Sequence, residues 1–128
     1  MAVFAIVMTA CGDNVVLETD ELGIGAKCST ETDCSPRLQA WTSSKGRGQF
    51  PVCLLEFEGG YCSASPCDRD ADCPDGSACI RRDAHRFHCL RTCFDNADCN
   101  ANREPENEAE CSPNATPAPM GRKVCLPR

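Results

Sequence analysis

Thirteen of the 128 residues are cysteines, and their spacing limits the chemistry that the chain can carry. Cysteine thiolates bind zinc, attack substrates or oxidise to disulfides. Structural zinc sites usually combine two pairs of closely spaced cysteines, and no two cysteines here are separated by two residues. The lack of a Cys-x-x-Cys pair also argues against thioredoxin-type redox chemistry. The spacing therefore favours structural disulfides, and the high density of cysteines indicates an oxidising compartment outside the cytosol.

Twelve of the cysteines form three groups of four, which we name the first, second and third quartets. Each quartet opens with two cysteines separated by five residues, and an aspartate precedes the second cysteine: CSTETDC, CDRDADC and CFDNADC. The gap to the third cysteine varies (18, 5 and 11 residues), which is typical of an internal repeat with loop insertions. Spacing does not determine connectivity. We expect bridges within each quartet, first to third and second to fourth. The quartets are Cys28, Cys34, Cys53 and Cys62; Cys67, Cys73, Cys79 and Cys89; and Cys93, Cys99, Cys111 and Cys125.

The remaining cysteine, Cys11, follows an apolar run, Ala2 to Met8. This run is too short to span a bilayer but has the length of the apolar region of a signal peptide. The sequence Met8-Thr9-Ala10-Cys11 resembles a bacterial lipobox, although leucine is usual in place of Met8 and no basic residue precedes the run. The resemblance implies that residues 1–10 are a lipoprotein signal peptide and that Cys11 is lipidated.

Lipidation at Cys11 would determine both where the protein is located and how it is attached to the membrane. Two or more acyl chains hold a protein stably on a membrane without spanning it. Gly12, rather than aspartate, follows the cysteine, which in the lipoprotein family implies sorting to the outer membrane. We expect an exported protein in the cell envelope, with the membrane as a partner through Cys11. The alternatives are a soluble secreted protein with an ordinary cleaved signal, or a buried N-terminal strand with a spare cysteine.

Metal binding and catalysis have few candidate residues. His85, His88, Cys89 and Cys93 are close in sequence and form the best zinc grouping, but we favour histidines that lie beside a disulfide. His85 and His88 are also the only two histidines that could act as a general base, and no serine lies in a G-x-S-x-G motif. We predict no enzymatic activity and no cofactor.

A calcium site is the second metal alternative. The segment DRDADCPDG resembles the start of an EF-hand loop, but Cys73 replaces the required glycine and Cys79 the coordinating glutamate, which excludes an EF-hand. A looser calcium site stays open, and turn capping by aspartate is the interpretation that we favour. The four carboxylates are Asp68, Asp70, Asp72 and Asp75.

The apolar content is too low for an ordinary core. From Cys11 onward, Leu, Ile, Val and Phe supply only 17 of 118 residues, a range in which disulfides usually replace burial as the source of stability. We therefore predict a small disulfide-rich fold of three tandem cysteine-rich modules with single helical turns, short strands and long loops. The predicted domains are a flexible tether at 11–27 and modules at 28–62, 67–89 and 93–125.

Within this fold, capping pairs predict two helical turns, at Thr30 with Asp33 and at Asp95 with Asp98. We expect a loop at 35–51 and a mobile loop at 100–119, because both segments are polar. Apolar residues around the later cysteines predict strands at 50–57, 86–90 and 123–126.

The capped turns and dense cysteines resemble the repeats of secreted lipoproteins from bacteria of the myxobacterial type. The run CDRDADCPDGSACIRRDAHRFHCLRTC also resembles the amino-terminal cysteine-rich domain of the Dickkopf family of secreted antagonists, which implies a soluble ligand or inhibitor as an alternative function.

A structural or protein-interaction role fits the composition best. The net charge of −6, with scattered basic residues, argues against binding to nucleic acid. A protein partner is expected, of unknown identity. The aromatic residues around the first quartet are either its binding surface or a miniature core, and we favour the core. They are Trp41, Phe50, Phe57 and Tyr61.

Overall fold

The computed structural model describes residues 17–44, 48–84, 86–115 and 123–128. Three short α helices lie in this part of the chain: α1 (Glu18–Glu21), α2 (Pro36–Ser44) and α3 (Asn96–Asn100). Single 3-10 turns occupy Glu31–Asp33, Asp70–Asp72 and Pro105–Asn107. The strands are β1 (Phe50–Cys53), β2 (Cys62–Ser65), β3 (Ser77–Asp83), β4 (Arg86–Cys93), β5 (Ala109–Ser112) and β6 (Lys123–Pro127). None of the helices in these ranges is long and apolar enough to cross a membrane.

Six disulfides hold this small fold together, and each lies within one quartet. The first cysteine of every quartet bonds the third, and the second bonds the fourth, which is the predicted pairing. The Cα–Cα distances of 5.5 to 6.0 Å are ordinary for disulfides. The bridges are Cys28–Cys53, Cys34–Cys62, Cys67–Cys79, Cys73–Cys89, Cys93–Cys111 and Cys99–Cys125.

The three quartets share a local geometry. In each, a helical turn lies between the first two cysteines, and the last two cysteines are directly opposite each other on antiparallel strands. The two disulfides therefore connect the turn to the strand pair. The opposed cysteines are Cys53 and Cys62, Cys79 and Cys89, and Cys111 and Cys125.

The aspartate before the second cysteine caps the turn in all three cases. Its carboxylate accepts the backbone N–H of the residue that follows the first cysteine, at 2.8, 2.9 and 2.8 Å for Asp33, Asp72 and Asp98. A carboxylate at this position satisfies backbone donors that a helical turn leaves open. At Asp95 the predicted capping box is complete, because Asp95 and Asp98 accept each other's backbone N–H.

Strand pairing joins the quartets to one another. A four-stranded sheet with the order β3-β4-β6-β5 contains the strands of the second and third quartets, and β1 and β2 form a separate antiparallel pair. All four residues of β2 are buried. Ser63 Oγ donates to the Cys89 carbonyl at 2.6 Å and Ser65 Oγ to the Phe87 carbonyl at 3.0 Å. The small side chains of β2 thus allow the first quartet to pack closely on β4.

The flexible tether predicted at 11–27 is wrong for residues 17–27, and residues 11–16 lie outside the described part of the chain. The side chains of Thr19, Leu22 and Ile24 are buried. Asp20 receives two hydrogen bonds, at 2.7 and 2.8 Å, from the guanidinium of Arg91 in β4. This segment folds back because its few apolar side chains find burial against the quartets, which composition alone does not reveal.

Two segments predicted as loops carry regular structure. The described part of 35–51 contains α2, whose Leu38 is fully buried and whose Thr42 hydroxyl lies near the carbonyl oxygens of the preceding turn. The described part of 100–119 contains a 3-10 turn and β5. The prediction of a loop failed because each segment has few buried apolar residues of its own, such as Leu38 and Ala109, and β5 forms by pairing with β6.

Candidate functional site

The structure separates the residues that sequence analysis grouped for zinc. Cys89 and Cys93 belong to different disulfides, with Cys73 and Cys111, so neither is a thiolate ligand. His88 is buried in β4, and His85 lies outside the described residues, as does Cys11. Among the described residues, each quartet does contain three sulfur atoms that lie within 4.8 Å of one another. All of these sulfurs are in disulfides, so they are not metal ligands.

The aspartates considered for calcium hold the turn of the second quartet. Asp72 accepts the backbone N–H of Asp68 at 2.9 Å, and Asp70 Oδ1 accepts that of Cys79 at 2.9 Å. The second of these bonds connects the turn to the first residues of β3. Asp72 therefore has the capping function that we favoured for this cluster, whereas Asp70 connects the turn to β3.

The aromatic residues of the first quartet divide between core and surface. Phe57 and Tyr61 are buried and stacked, with ring centroids 4.2 Å apart. The Tyr61 hydroxyl accepts the backbone N–H of Arg91 at 3.0 Å, and desolvation raises the pKa of Tyr61 to about 12. Trp41 packs half-buried against the core, whereas Phe50 is 53% exposed. The predicted miniature core is thus confirmed for the stacked pair and not for Phe50.

Arg103, which sequence analysis did not single out, completes that core. It comes from the third quartet, and its guanidinium carbon lies 6.0 and 5.7 Å from the ring centroids of Phe57 and Tyr61. Only 9% of the residue is exposed, and this burial lowers the pKa of its guanidinium. The planar, five-donor head suits a cluster of carbonyls. It donates to the carbonyl oxygens of Gly25 (2.7 Å), Gly60 (2.8 Å), Asn107 (2.7 Å) and Glu58.

A groove of about 650 Å³ lies between β1 and the beginning of β4. Phe50, Val52 and Phe87 give it apolar sides that stay at least partly exposed. The hydrogen bond from Ser65 of β2 to Phe87 of β4, together with the pairing of β1 with β2, holds the two sides of the groove in place. Its remaining lining residues are Glu31, Gly48, Pro51, Cys53, Leu54, Ser65, Pro66, Arg86 and His88.

Few of the described residues that line this groove carry reactive side chains. Its lining contains one histidine, no serine except Ser65 and no free thiol among the described residues. The Ser65 hydroxyl is already a donor to a backbone carbonyl, so it is not placed as a nucleophile. An exposed aromatic next to aliphatic side chains, with an acid and a base at the margin, matches the composition of protein-binding sites.

A second apolar surface lies at the other end of β4. Phe94 is 89% exposed, the highest exposure among the large apolar residues of the described chain, and Leu17 is 38% exposed. The two line one depression of about 160 Å³. The rest of its lining is Arg91, Thr92, Cys93 and Asp98.

Comparison with known proteins gives no further assignment. No protein-family description, no curated protein and no solved structure matches the chain.

Proposed function

We propose that this protein is an exported bacterial lipoprotein, held in the cell envelope by lipid on Cys11, with a disulfide-bonded head that binds a protein and has no enzymatic activity. The observation that carries the proposal is the cysteine count. Thirteen cysteines are present, and the six disulfides use twelve of them entirely within the quartets. The one left over is the cysteine of the lipobox-like sequence.

The head is, in this proposal, three copies of one unit, each an aspartate-capped turn connected by two disulfides to a strand pair. Three observations support a common unit: the same opening spacing, the same capping bond and the same opposition of the last two cysteines. Insertions between the second and third cysteines then distinguish the copies. This is how repeat families usually diversify.

The groove between β1 and β4 is the proposed site for the protein partner. Phe50 offers an aromatic side chain that is half exposed, and aromatic residues supply a large share of binding energy at interfaces. The neighbouring Glu31 and Arg86 place opposite charges at the margin, which would orient a polar partner segment. The partner in this proposal presents an apolar side chain to Phe50 and Phe87.

An intact mass of the protein purified from the membrane fraction tests the anchor. We expect a mass increase for acyl chains on a chain that begins at Cys11, and twelve thiols that react with an alkylating reagent only after reduction. The Cys11→Ser variant is the matched control and should appear unlipidated in the soluble fraction. A mature wild-type protein without lipid would contradict the anchor and support the soluble secreted alternative.

Site-specific photocrosslinking tests the groove. A photoreactive phenylalanine analogue at Phe50 should crosslink one discrete protein, and the Phe87→Ser substitution should abolish that crosslink. Leu55 is the control position, because it is 69% exposed and does not line the groove. A crosslink of equal yield from position 55, or one that Phe87→Ser leaves unchanged, would contradict a specific site.

A further inference from the structure

The surface formed by Phe94 and Leu17, unlike the groove, includes the described residue that is nearest in sequence to Cys11. Leu17 directly precedes α1, and six residue steps separate it from Cys11. A fully extended chain spans at most about 3.3 to 3.6 Å per residue, so Cys11 lies within about 20 Å of Leu17. Whatever Cys11 is attached to must therefore be near this surface.

The end of this tether is fixed to the head. Asp20 in α1 forms a bidentate ion pair with Arg91. Arg91 also lines the depression between Leu17 and Phe94. The backbone N–H of Thr19 donates to the Asp75 carbonyl at 2.9 Å, and that of Asp75 donates to Glu18 at 2.9 Å. The head therefore cannot swing freely about Leu17.

Phe94 is held on a rigid part of the head in spite of its exposure. It directly follows Cys93, which is in a disulfide, and its backbone N–H donates to Asp98 at 2.8 Å. The almost fully exposed side chain of Phe94 would gain free energy by leaving water. An apolar phase within its reach would therefore bind it.

We propose that Leu17 and Phe94 form a membrane-facing surface that enters the interfacial region of the same bilayer that holds the lipid on Cys11. This inference rests on the proposed lipid anchor. A tether of six residues gives the surface a high effective concentration at the bilayer, so a contact of one phenylalanine and one leucine suffices to orient the head. The charged residues that line the depression are Asp98 and Arg91, and Arg91 is paired with Asp20, so the contact is apolar and not electrostatic.

In this orientation the two ends of β4 have different roles. Arg86 to His88, at its beginning, line the partner groove, and Arg91 to Cys93, at its end, line the membrane-facing depression. Eight residues of extended strand separate the ends by about 25 Å. The membrane contact would thus hold the groove away from the bilayer.

Depth-dependent quenching of a single tryptophan tests the surface. In a Trp41→Phe background, tryptophan is placed at Phe94 or, as the control, at Leu55, which is exposed but does not line the depression. The lipidated full chain is reconstituted into phosphatidylethanolamine and phosphatidylcholine vesicles that contain brominated lipid. We expect severalfold stronger quenching at position 94 than at position 55, with a blue-shifted emission at 94 only. Equal quenching at the two positions would overturn the inference.

A second preparation separates this inference from the anchor. Unlipidated protein carrying all residues from Cys11 onward is coupled through the Cys11 thiol to a maleimide phospholipid in the same vesicles. Preferential quenching at position 94 supports the membrane-facing surface even if the cellular protein proves to lack lipid, a result that would overturn only the anchor. In the Asp20→Asn variant, which frees the end of the tether, equal quenching at positions 94 and 55 would support the role of the Asp20–Arg91 pair. Equal quenching at the two positions in protein with intact Asp20 would overturn the proposed membrane-facing surface.

Discussion

The first and third quartets have the same disulfide pairing and the same capped turn, yet their interiors are different. The first quartet has an 18-residue insertion that contains α2, and it buries Leu38, Phe57 and Tyr61. The third has an 11-residue insertion that supplies Arg103, which packs not in its own quartet but against those two aromatic rings. Disulfides therefore determine the local shape of each quartet, whereas non-covalent contacts determine which quartet buries large aromatic side chains in the shared core.

The difference also shows how the quartets depend on one another. The core of the first quartet needs a side chain of the third, and its β2 needs β4 as a hydrogen-bonding partner. We therefore expect the oxidised protein to unfold in one transition, monitored both by Trp41 fluorescence and by circular dichroism. The substitutions below test the comparison in this assay, with the disulfides intact.

Gly60→Ala should have the largest effect, because it affects the first quartet where two backbones touch. Gly60 has φ of +79°, and a Cβ there would lie 2.0 Å from the Cys28 carbonyl oxygen. We expect a loss of about 4 kcal/mol in the free energy of unfolding. Gly48→Ala is the matched control, since Gly48 has φ of +73° and nothing within 4 Å of the added atom. Equal losses at the two glycines would show that the close approach to Cys28 is unimportant.

Arg103→Ala tests the contact between the two quartets. It removes the donors of four carbonyl groups and the cation above two rings, so we expect a loss of about 3 kcal/mol. Arg103→Lys should recover only part of this, because an ammonium lacks the planar fork. Arg128→Ala serves as the control, since its ion pair with Glu108 is exposed and should contribute less than about 1 kcal/mol. If the first quartet is stable without the third, the midpoint of unfolding of Arg103→Ala would equal that of the wild-type protein.

Tyr61 gives the core of the first quartet a dependence on alkaline pH. Its pKa is about 12 in the folded protein against 10.0 in the unfolded chain, so the folded state retains its proton longer. The corresponding stability is fully present below pH 10 and is lost between pH 10 and about 12, by roughly 3 kcal/mol. Because Tyr61 is the only tyrosine, absorbance near the phenolate band reports its titration directly.

The control for this titration is Tyr61→Phe, which should remove that part of the alkaline loss while lysine and arginine titrations continue. The variant should itself cost about 1 kcal/mol at neutral pH, because the Arg91 backbone N–H loses its acceptor. A folded-state pKa close to 10 would mean that the tyrosine hydroxyl is hydrated and that the core is open.

Asp98→Ala tests what the quartets share and should have the smallest effect. The substitution removes the acceptor of two backbone N–H groups at the start of α3, so we expect a loss of about 1 kcal/mol with unchanged disulfides. Glu110→Ala, an exposed acid on β5, is the control for the loss of one negative charge. If Asp98→Ala caused disulfide scrambling on oxidative refolding, the cap would prove to direct the pairing and not only to stabilise the turn.

The features that spacing predicted correctly are local. The pairing within each quartet, the capping by Asp33 and Asp98, and strands beside the later cysteines all depend on residues at most a few turns or one hairpin apart. The features that it missed are β3, β5, α2, β2, the packed segment at 17–27 and the buried Arg103. Several of these depend on a partner far along the chain, such as Gly25 for Arg103 or Cys89 for Ser63.

The candidate surfaces show the same division. Phe50 stood out in the sequence as one of a few aromatic residues, but only packing decides that Phe57 and Tyr61 are buried while Phe50 lines a groove. Phe94 had no signal at all, because exposure is not encoded in the residues next to it. Leu17 and Phe94 meet in one depression only after α1 binds β4 through Asp20 and Arg91.

The sequence by itself determined the disulfide-rich class, the number of quartets and the odd position of Cys11, because these follow from counts and short spacings. The tertiary structure decided how the quartets are joined, which quartet buries aromatic rings in the shared core and which aromatic residues stay in contact with water. The physical reason is that a disulfide quartet constrains the conformations of its own loops. Burial of an arginine or a phenylalanine, by contrast, depends on surfaces that exist only when distant segments have packed together.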